Sequence, residues 1–172
     1  MPNYFEFFDL PPAPRVDQAA LKKRFLANSR AFHPDFHTLA DEATQQRALE
    51  QATLNNQGYK ILRDDDLRLK HLLEVRGLLA EGSNSQLPQS FLMEMMDLNE
   101  ARMELEFDDD PAARARVDGM IDELEAGLRT TAAPVLDHYD DATATPADLA
   151  ALKDYYLKKR YLRRLRQQEP EV

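Results

Sequence analysis

The stretch Phe32-His33-Pro34-Asp35-Phe36-His37 lies between two helical segments and decides the fold. A basic amphipathic run, 16–32, precedes it, and a second amphipathic run, 41–62, follows it. Pro34 has no backbone N–H and disfavours the α conformation of the residue before it, so the first helix must end at this point. The stretch therefore predicts the tip of a helix–loop–helix that carries an imidazole and a carboxylate.

Both flanking runs have the spacing of helices that bury one face. The first places Leu21, Phe25, Ser29 and Phe32 on one stripe, and Asp17 is suited to cap it. The second repeats its buried positions at intervals of four and three residues, as Ala48, Ala52, Asn55, Tyr59 and Leu62. We expect a short aromatic helix with Tyr4, Phe7 and Phe8 before them, and a fourth helix that starts at Asp64-Asp65-Asp66.

The second half of the chain predicts three more helices. Glu81-Gly82-Ser83-Asn84-Ser85 has the composition of a linker, and Pro88 fits the first position of a helix over 88–106. Helical spacing continues over 111–139, where Pro134 predicts a kink or a break, and again after Pro146. Alternating β-branched runs are missing from the sequence, so the predicted fold is all-α, with a helical hairpin followed by a three-helix bundle.

The composition excludes several classes of function. The chain of 172 residues contains no cysteine, which excludes disulfides, thiolate metal sites and a cysteine nucleophile. The net charge is −9, and residues 81–148 hold 17 acidic and 4 basic side chains, a pattern that disfavours nucleic-acid binding. Apolar runs stay well short of the roughly 20 residues of a membrane span, and the first residues lack the features of a signal or transit peptide. We expect a cytoplasmic protein.

Catalysis by His33 and Asp35 is one possible reading of the central stretch. A histidine beside a carboxylate is able to act as a general base, but the sequence nearby offers no nucleophile and no glycine-rich loop. His33 and His37 are four residues apart, yet Pro34 breaks the helix that would align them on zinc. We therefore predict no enzyme, no metal and no cofactor, with a small hydrolase that uses His33 as a rival hypothesis.

The predicted helix over 88–106 carries two apolar stripes. At 100° per residue, its core stripe is Phe91, Met95, Leu98, Arg102 and Leu105. A second set lies off that stripe, namely Leu92, Met93, Met96 and Met103, and is flanked by Asp97, Glu100 and Glu104. An apolar patch that is rich in methionine and rimmed with acid is typical of a partner surface. Burial of both stripes between two neighbouring helices is the alternative, and both remain open.

The first half of the chain resembles a J-domain, the module that stimulates ATP hydrolysis by DnaK-class chaperones. The resemblance rests on the basic helix, His33-Pro34-Asp35, and a paired helix that ends in Gln57-Gly58-Tyr59-Lys60-Ile61-Leu62. Three further segments resemble HscB/Jac-type J-domain co-chaperones of iron–sulfur cluster assembly, and with them the similarity covers essentially the whole chain. They are Tyr4-Phe5-Glu6-Phe7-Phe8-Asp9-Leu10-Pro11, Leu67-Arg68-Leu69-Lys70-His71-Leu72-Leu73 and Phe91-Leu92-Met93-Glu94-Met95-Met96.

The resemblance implies two domains with different functions. It implies a J-domain at 1–76, a linker at 77–86 and a three-helix domain at 87–172 that binds the cluster scaffold protein. His33, Pro34 and Asp35 would stimulate a DnaK-class (HscA-like) ATPase, and a basic face would dock on it, formed by Lys22, Lys23, Arg24 and Arg30. The scaffold would bind to Leu92, Met93, Met96, Asp97, Glu100, Glu104 and Tyr156. A J-domain co-chaperone for a different client is the alternative.

Four positions depart from the family pattern. Phe36 stands where J-domains usually have lysine, Asp9 where glycine is usual, and His71 where tyrosine is frequent. A proline that is common at the start of the fourth helix is replaced within Asp64-Asp65-Asp66.

Overall fold

The computed structural model describes residues 2–36, 38–79, 87–107 and 110–167, and within these ranges the protein is all-α, as predicted. A 3-10 turn, Pro34–Phe36, lies between the second and third helices. The helices are α1 Tyr4–Phe7, α2 Gln18–Ala31, α3 Glu42–Arg63, α4 Asp65–Val75, α5 Gln89–Glu94, α6 Met96–Phe107, α7 Pro111–His138 and α8 Pro146–Gln167.

The chain forms two compact units. The first contains Met1–Leu78 and also Tyr139–Ala144, the connection between α7 and α8, which sequence reasoning did not expect there. The second contains Leu79–His138 and Thr145–Val172. The predicted linker segment Glu81–Ser85 lies outside the described residues. Among the described helices, none is long and apolar enough to cross a membrane.

Aspartates begin three helices of the first unit. The Asp17 carboxylate accepts the backbone N–H groups of Ala19 and Ala20 at 2.9 and 3.0 Å, which places the start of α2 at Gln18. Asp41 caps α3 in the same way and accepts the Thr44 N–H at 2.8 Å, a bond that lowers the pKa of the Asp41 carboxyl. Asp64 caps α4. These caps satisfy N–H groups that have no partner within the helix.

The aromatic residues of α1 pack against α3 and α4. Tyr4, Phe5 and Phe8 are buried, whereas Phe7 is only partly covered. The Tyr4 N–H donates to the buried His71 imidazole of α4 at 3.1 Å.

A buried arginine connects α4 to the segment before α2. Arg68 is 2% exposed, and its guanidinium donates to the carbonyl oxygens of Pro14 at 2.7 Å and Leu62 at 2.6 Å, as well as to the Asp65 carboxylate. Burial of a charged side chain costs free energy unless its polar groups have hydrogen-bond partners. The Arg68 guanidinium has three acceptors for its N–H groups.

The second unit is a bundle of α5–α6, α7 and α8. Its buried core combines residues from all three parts, namely Phe91, Met95, Leu98, Ala101, Val117, Ile121, Leu162 and Leu165. The predicted single helix over 88–106 is interrupted at Met95, so that α5 and α6 follow each other as separate helices. Pro134 lies inside α7 and does not break it.

Candidate functional site

The α2–α3 hairpin holds the central stretch at its end. The rings of Phe25 and Tyr59 stack with centroids 4.1 Å apart. Next to them the Asn55 amide donates to the Phe25 carbonyl at 3.2 Å and to the Ser29 hydroxyl at 3.0 Å. Polar bonds of this kind fix the register of the two helices, because a shift by one residue would leave buried donors without acceptors. The hairpin therefore sets the position of the tip.

The tip itself is a tight turn built on His33. Its carbonyl accepts the Phe36 N–H at 3.0 Å, and its Nδ1 accepts the Asp35 N–H at 3.3 Å, which leaves the imidazole proton on Nε2. The Asp35 carboxylate lies 3.7 Å from Nδ1, beyond hydrogen-bond distance. Both side chains are exposed, by 52% for His33 and 82% for Asp35. The turn thus presents an imidazole donor and an exposed carboxylate to the outside.

This geometry favours contact with a partner over catalysis. His33 and Asp35 lie on an exposed turn, where water would compete with any bond to a small substrate. Among the described residues, no group of three or more histidine, aspartate or glutamate side chains is placed to hold a metal ion. His37, the second histidine of the rejected zinc pair, lies outside the described residues.

The predicted basic face of α2 keeps three of its four cations in solvent. Lys22, Lys23 and Arg30 are exposed. Arg24 instead turns toward the end of α1, where it donates to the carbonyls of Phe8 and Asp9 and pairs with the Asp9 carboxylate at 3.1 Å. Asp9 has a φ of +47°, and Arg24 binds the backbone at this left-handed residue. Arg24 is therefore engaged within the fold, and the docking prediction rests on the other three.

The second apolar stripe of α5 and α6 is exposed. Phe91, Met95 and Leu98 are buried as the spacing predicted. Leu92 is 43% exposed, Met93 and Met96 are 64% exposed, and Met103 is 61% exposed. Asp97, Glu100 and Glu104 are also exposed, and Glu104 pairs with Arg116 of α7 at 3.2 Å. Of the two alternatives that spacing left open, the described residues therefore show the surface patch. We call Leu92, Met93, Met96 and Met103 the methionine patch.

The methionine patch lies on α5 and α6, and both helices contact Tyr161 of α8. The Asn99 amide donates to the Tyr161 hydroxyl at 3.2 Å, and the Phe91 and Tyr161 rings meet edge to face at 5.8 Å. Tyr156, predicted to contribute to the same site from α8, is partly buried. Met103 was not among the predicted site residues, although its position seven residues after Met96, two turns along the helix, was a usable signal.

Basic residues of α8 pair with acidic neighbours. Lys158 pairs with Asp154 at 2.7 Å and lies over the Phe91 ring, 5.4 Å from its centroid. Arg166 pairs with Asp122 of α7 at 2.6 Å. Lys158 and Arg166 therefore pair with carboxylates of the second unit.

Comparison with known proteins identifies relatives of the whole arrangement. Residues 87–168 match the family model described as the HSCB C-terminal oligomerisation domain. The co-chaperone protein HscB homolog of Shewanella loihica is 36% identical over 110 residues, which is 63% of this chain and 64% of that protein. The homolog of Bordetella petrii is 32% identical over 147 residues, which is 83% of each chain. The alignment with the Shewanella relative thus spans less than two thirds of its length.

Solved structures have the same fold. The chaperone HscB from Vibrio cholerae matches with a TM-score of 0.74 and 27% identity, over 96% of this chain and 95% of that chain. Human co-chaperone protein HscB matches with a TM-score of 0.73 over 98% of this chain and 80% of that chain; at 23% identity this likeness concerns the fold alone. From the motifs, the helices that present them and these relatives, the chain belongs to the HscB family of co-chaperones.

Proposed function

We propose that this protein is a J-type co-chaperone of iron–sulfur cluster assembly. In this proposal the first unit acts on an HscA-like DnaK-class ATPase, and the second unit binds the scaffold protein on which clusters are built. The protein itself catalyses no reaction. The observation that carries the proposal is the His33-Pro34-Asp35 turn at the end of the α2–α3 hairpin, with the His33 and Asp35 side chains exposed, in a chain of the HscB family.

The turn is suited to act on a partner. An imidazole donor and a carboxylate acceptor, fixed by a short turn, are able to bind complementary groups of the ATPase. Stimulation requires that these bonds form more strongly in the hydrolysis-competent conformation of the ATPase than in its resting conformation. Lys22, Lys23 and Arg30 on α2 would then attract an acidic surface of the same partner and raise the rate of encounter.

The methionine patch is suited to bind the scaffold. Methionine side chains adapt to the shape of a partner, and exposed apolar residues inside a rim of carboxylates gain free energy when a partner excludes water from them. Asp97 and Glu100 supply that rim on α6, and Tyr156 would add an aromatic contact from α8. A scaffold surface that is apolar at its centre and basic at its edge would complement this arrangement.

Self-association through the second unit is a second candidate use of the methionine patch. The family model that matches residues 87–168 carries the description of an oligomerisation domain. Both uses would bury the same exposed side chains, so the two candidates must be separated by measurement of scaffold affinity and of oligomeric state on the same variants.

The test is a double variant, Leu92→Ala with Met96→Ala. Both side chains are largely exposed, so the free energy of unfolding should change by less than about 1 kcal/mol, whereas truncation of buried residues costs about 2–5 kcal/mol each. Scaffold affinity, measured by calorimetry, should fall at least about tenfold, as for truncated interface anchors. Tyr156→Ala is measured separately because this partly buried ring also contributes to the fold.

Two exposed leucines of the first unit provide the control. Leu49→Ala with Leu67→Ala removes a similar amount of exposed apolar surface and should leave scaffold affinity unchanged. If the patch variant binds the scaffold as tightly as the parent, the assignment of this face to the scaffold is wrong. If it instead converts a dimer to a monomer with unchanged scaffold affinity, self-association is the correct assignment. A different client bound through the patch would identify a J-type co-chaperone outside cluster assembly.

A further inference from the structure

Phe36 is an exposed aromatic ring that the fold does not require. It is 74% exposed, and Leu39, three residues further on, is fully exposed. Phenylalanine is among the residues most often buried in folded proteins. Two large apolar side chains exposed three residues apart, next to the His33 and Asp35 side chains, offer an apolar surface that a partner could cover.

The ring has little part in holding the turn. The Phe36 N–H donates to the His33 carbonyl at 3.0 Å, but any residue with a backbone N–H would make this bond. The side chain lies against the His33 imidazole, with centroids 5.9 Å apart and the planes at 64°. Removal of the ring should therefore leave the 3-10 turn, the hairpin and the stability of the first unit unchanged.

The position of the ring identifies what covers it. The Phe36 ring centroid lies 5.9 Å from that of the His33 imidazole, so a protein that binds the exposed imidazole comes close to the ring. We propose that the DnaK-class ATPase covers Phe36 with an apolar pocket when it binds the turn. This inference rests on the proposed function and adds a specificity-determining anchor to it.

An apolar anchor has kinetic consequences that differ from those of the basic face. Long-range attraction by Lys22, Lys23 and Arg30 acts on the association rate and weakens with salt. Burial of the Phe36 ring acts at short range, so it should slow dissociation and should not depend on salt. The two contributions are therefore separable on one complex.

The experiment measures ATPase stimulation and dissociation for Phe36→Ala, Phe36→Leu and Leu67→Ala in the full chain. Leu67 is an exposed leucine, and it follows α3, whose 22 residues span about 33 Å from the tip. Phe36→Ala should raise the half-saturating concentration about 10- to 100-fold through faster dissociation, with the maximal rate and the salt dependence unchanged. Phe36→Leu should recover most of the affinity, and Leu67→Ala should behave as the parent.

Several results would overturn the inference. If Phe36→Ala matches the parent while His33→Gln has lost stimulation, the proposed function stands and the anchor is wrong. If Phe36→Ala lowers only the maximal rate, the ring orients His33 and does not bind the partner. If it abolishes a dimer without any effect on stimulation, a second copy of the chain covers the ring. If the parent protein fails to stimulate the ATPase, the proposed function itself is wrong.

Discussion

Alanine should have opposite effects at two helical glycines. Gly58 lies in α3 beneath α1, and a Cβ placed there would be 2.6 Å from Tyr4 Cδ1 and 2.8 Å from Phe8 Cε2. Gly127 lies in α7, and a Cβ placed there would meet, outside the backbone of its own helix, no atom of the described residues within 4 Å. Both substitutions are the same chemical change in the interior of a helix, so the surroundings alone should decide the sign of the effect.

The expected change in the free energy of unfolding is the sum of a gain in helix propensity and a cost of overpacking. Alanine in place of glycine gains about 1 kcal/mol of helix stability at either site. At Gly58 the new methyl group overlaps two rings that are 5% and 1% exposed and are unable to turn into solvent, so overpacking should cost about 2–3 kcal/mol. Gly58→Ala should therefore destabilise the first unit by about 1–2 kcal/mol, whereas Gly127→Ala should stabilise the second by about 1 kcal/mol.

Hydrogen exchange read by mass spectrometry tests this on the full chain, because it reports the opening free energy of each segment separately. Gly58→Ala should raise exchange in α1 and α3, and Gly127→Ala should lower it in α7. Equal stabilisation by both substitutions would refute the packing of α1 against α3 described above.

Three further predictions follow from the first unit. Burial lowers the pKa of His71 below its ordinary value of 6.5, so the stabilisation by the neutral imidazole is complete above pH 6.5 and declines as the pH falls below it. His71→Gln keeps an acceptor for the Tyr4 N–H and should remove this loss of stability. Urea titrations from pH 7.5 to 5 measure the loss, at pH values above those at which Asp41 titrates. A stability of the parent that stays constant over this range would contradict the burial of a neutral His71. Arg68→Met leaves the Pro14 and Leu62 carbonyls without their donor and should cost about 2–5 kcal/mol in the same titrations, whereas the exposed Arg63→Met should cost less than about 0.5 kcal/mol. Lys22→Glu with Lys23→Glu should slow association with the ATPase at low salt and flatten its salt dependence, measured by stopped flow; an unchanged rate would exclude this face from docking.

Much of the fold follows from local rules that the sequence displays. Asp17 caps α2 as predicted, because a cap depends on neighbours two or three residues away. Asp41 and Asp64 cap α3 and α4 close to the predicted starts of these helices. The buried stripe Phe91, Met95 and Leu98 is also correct, although α5 and α6 are interrupted at Met95, because one residue of irregular backbone barely rotates the stripe. Helical spacing also placed Leu92 and Met96 outside the core stripe. It did not decide whether these side chains are exposed or are buried against a second neighbouring helix.

Features that depend on distant segments were beyond sequence reasoning. Arg24 has the spacing of a surface cation, but its partners Phe8 and Asp9 are 16 and 15 residues away, so its engagement within the fold was not predicted. Arg68 has the sequence context of an exposed charge, and its burial depends on the Pro14 carbonyl 54 residues earlier. The helix α7 continues through Pro134, so of the kink or break that this residue predicted the break is wrong and the kink stays a prediction.

The central claim is that the His33-Pro34-Asp35 turn controls a partner ATPase, and the ATPase rate tests it most directly. The measurement compares the parent, His33→Gln and His138→Gln, the last an exposed histidine of α7, each with the HscA-like ATPase and with or without the scaffold protein. The parent and His138→Gln should stimulate hydrolysis, and more strongly with the scaffold present. His33→Gln should fold normally and fail to stimulate. Full stimulation by His33→Gln, or ATP hydrolysis by the parent without the ATPase, would contradict the account.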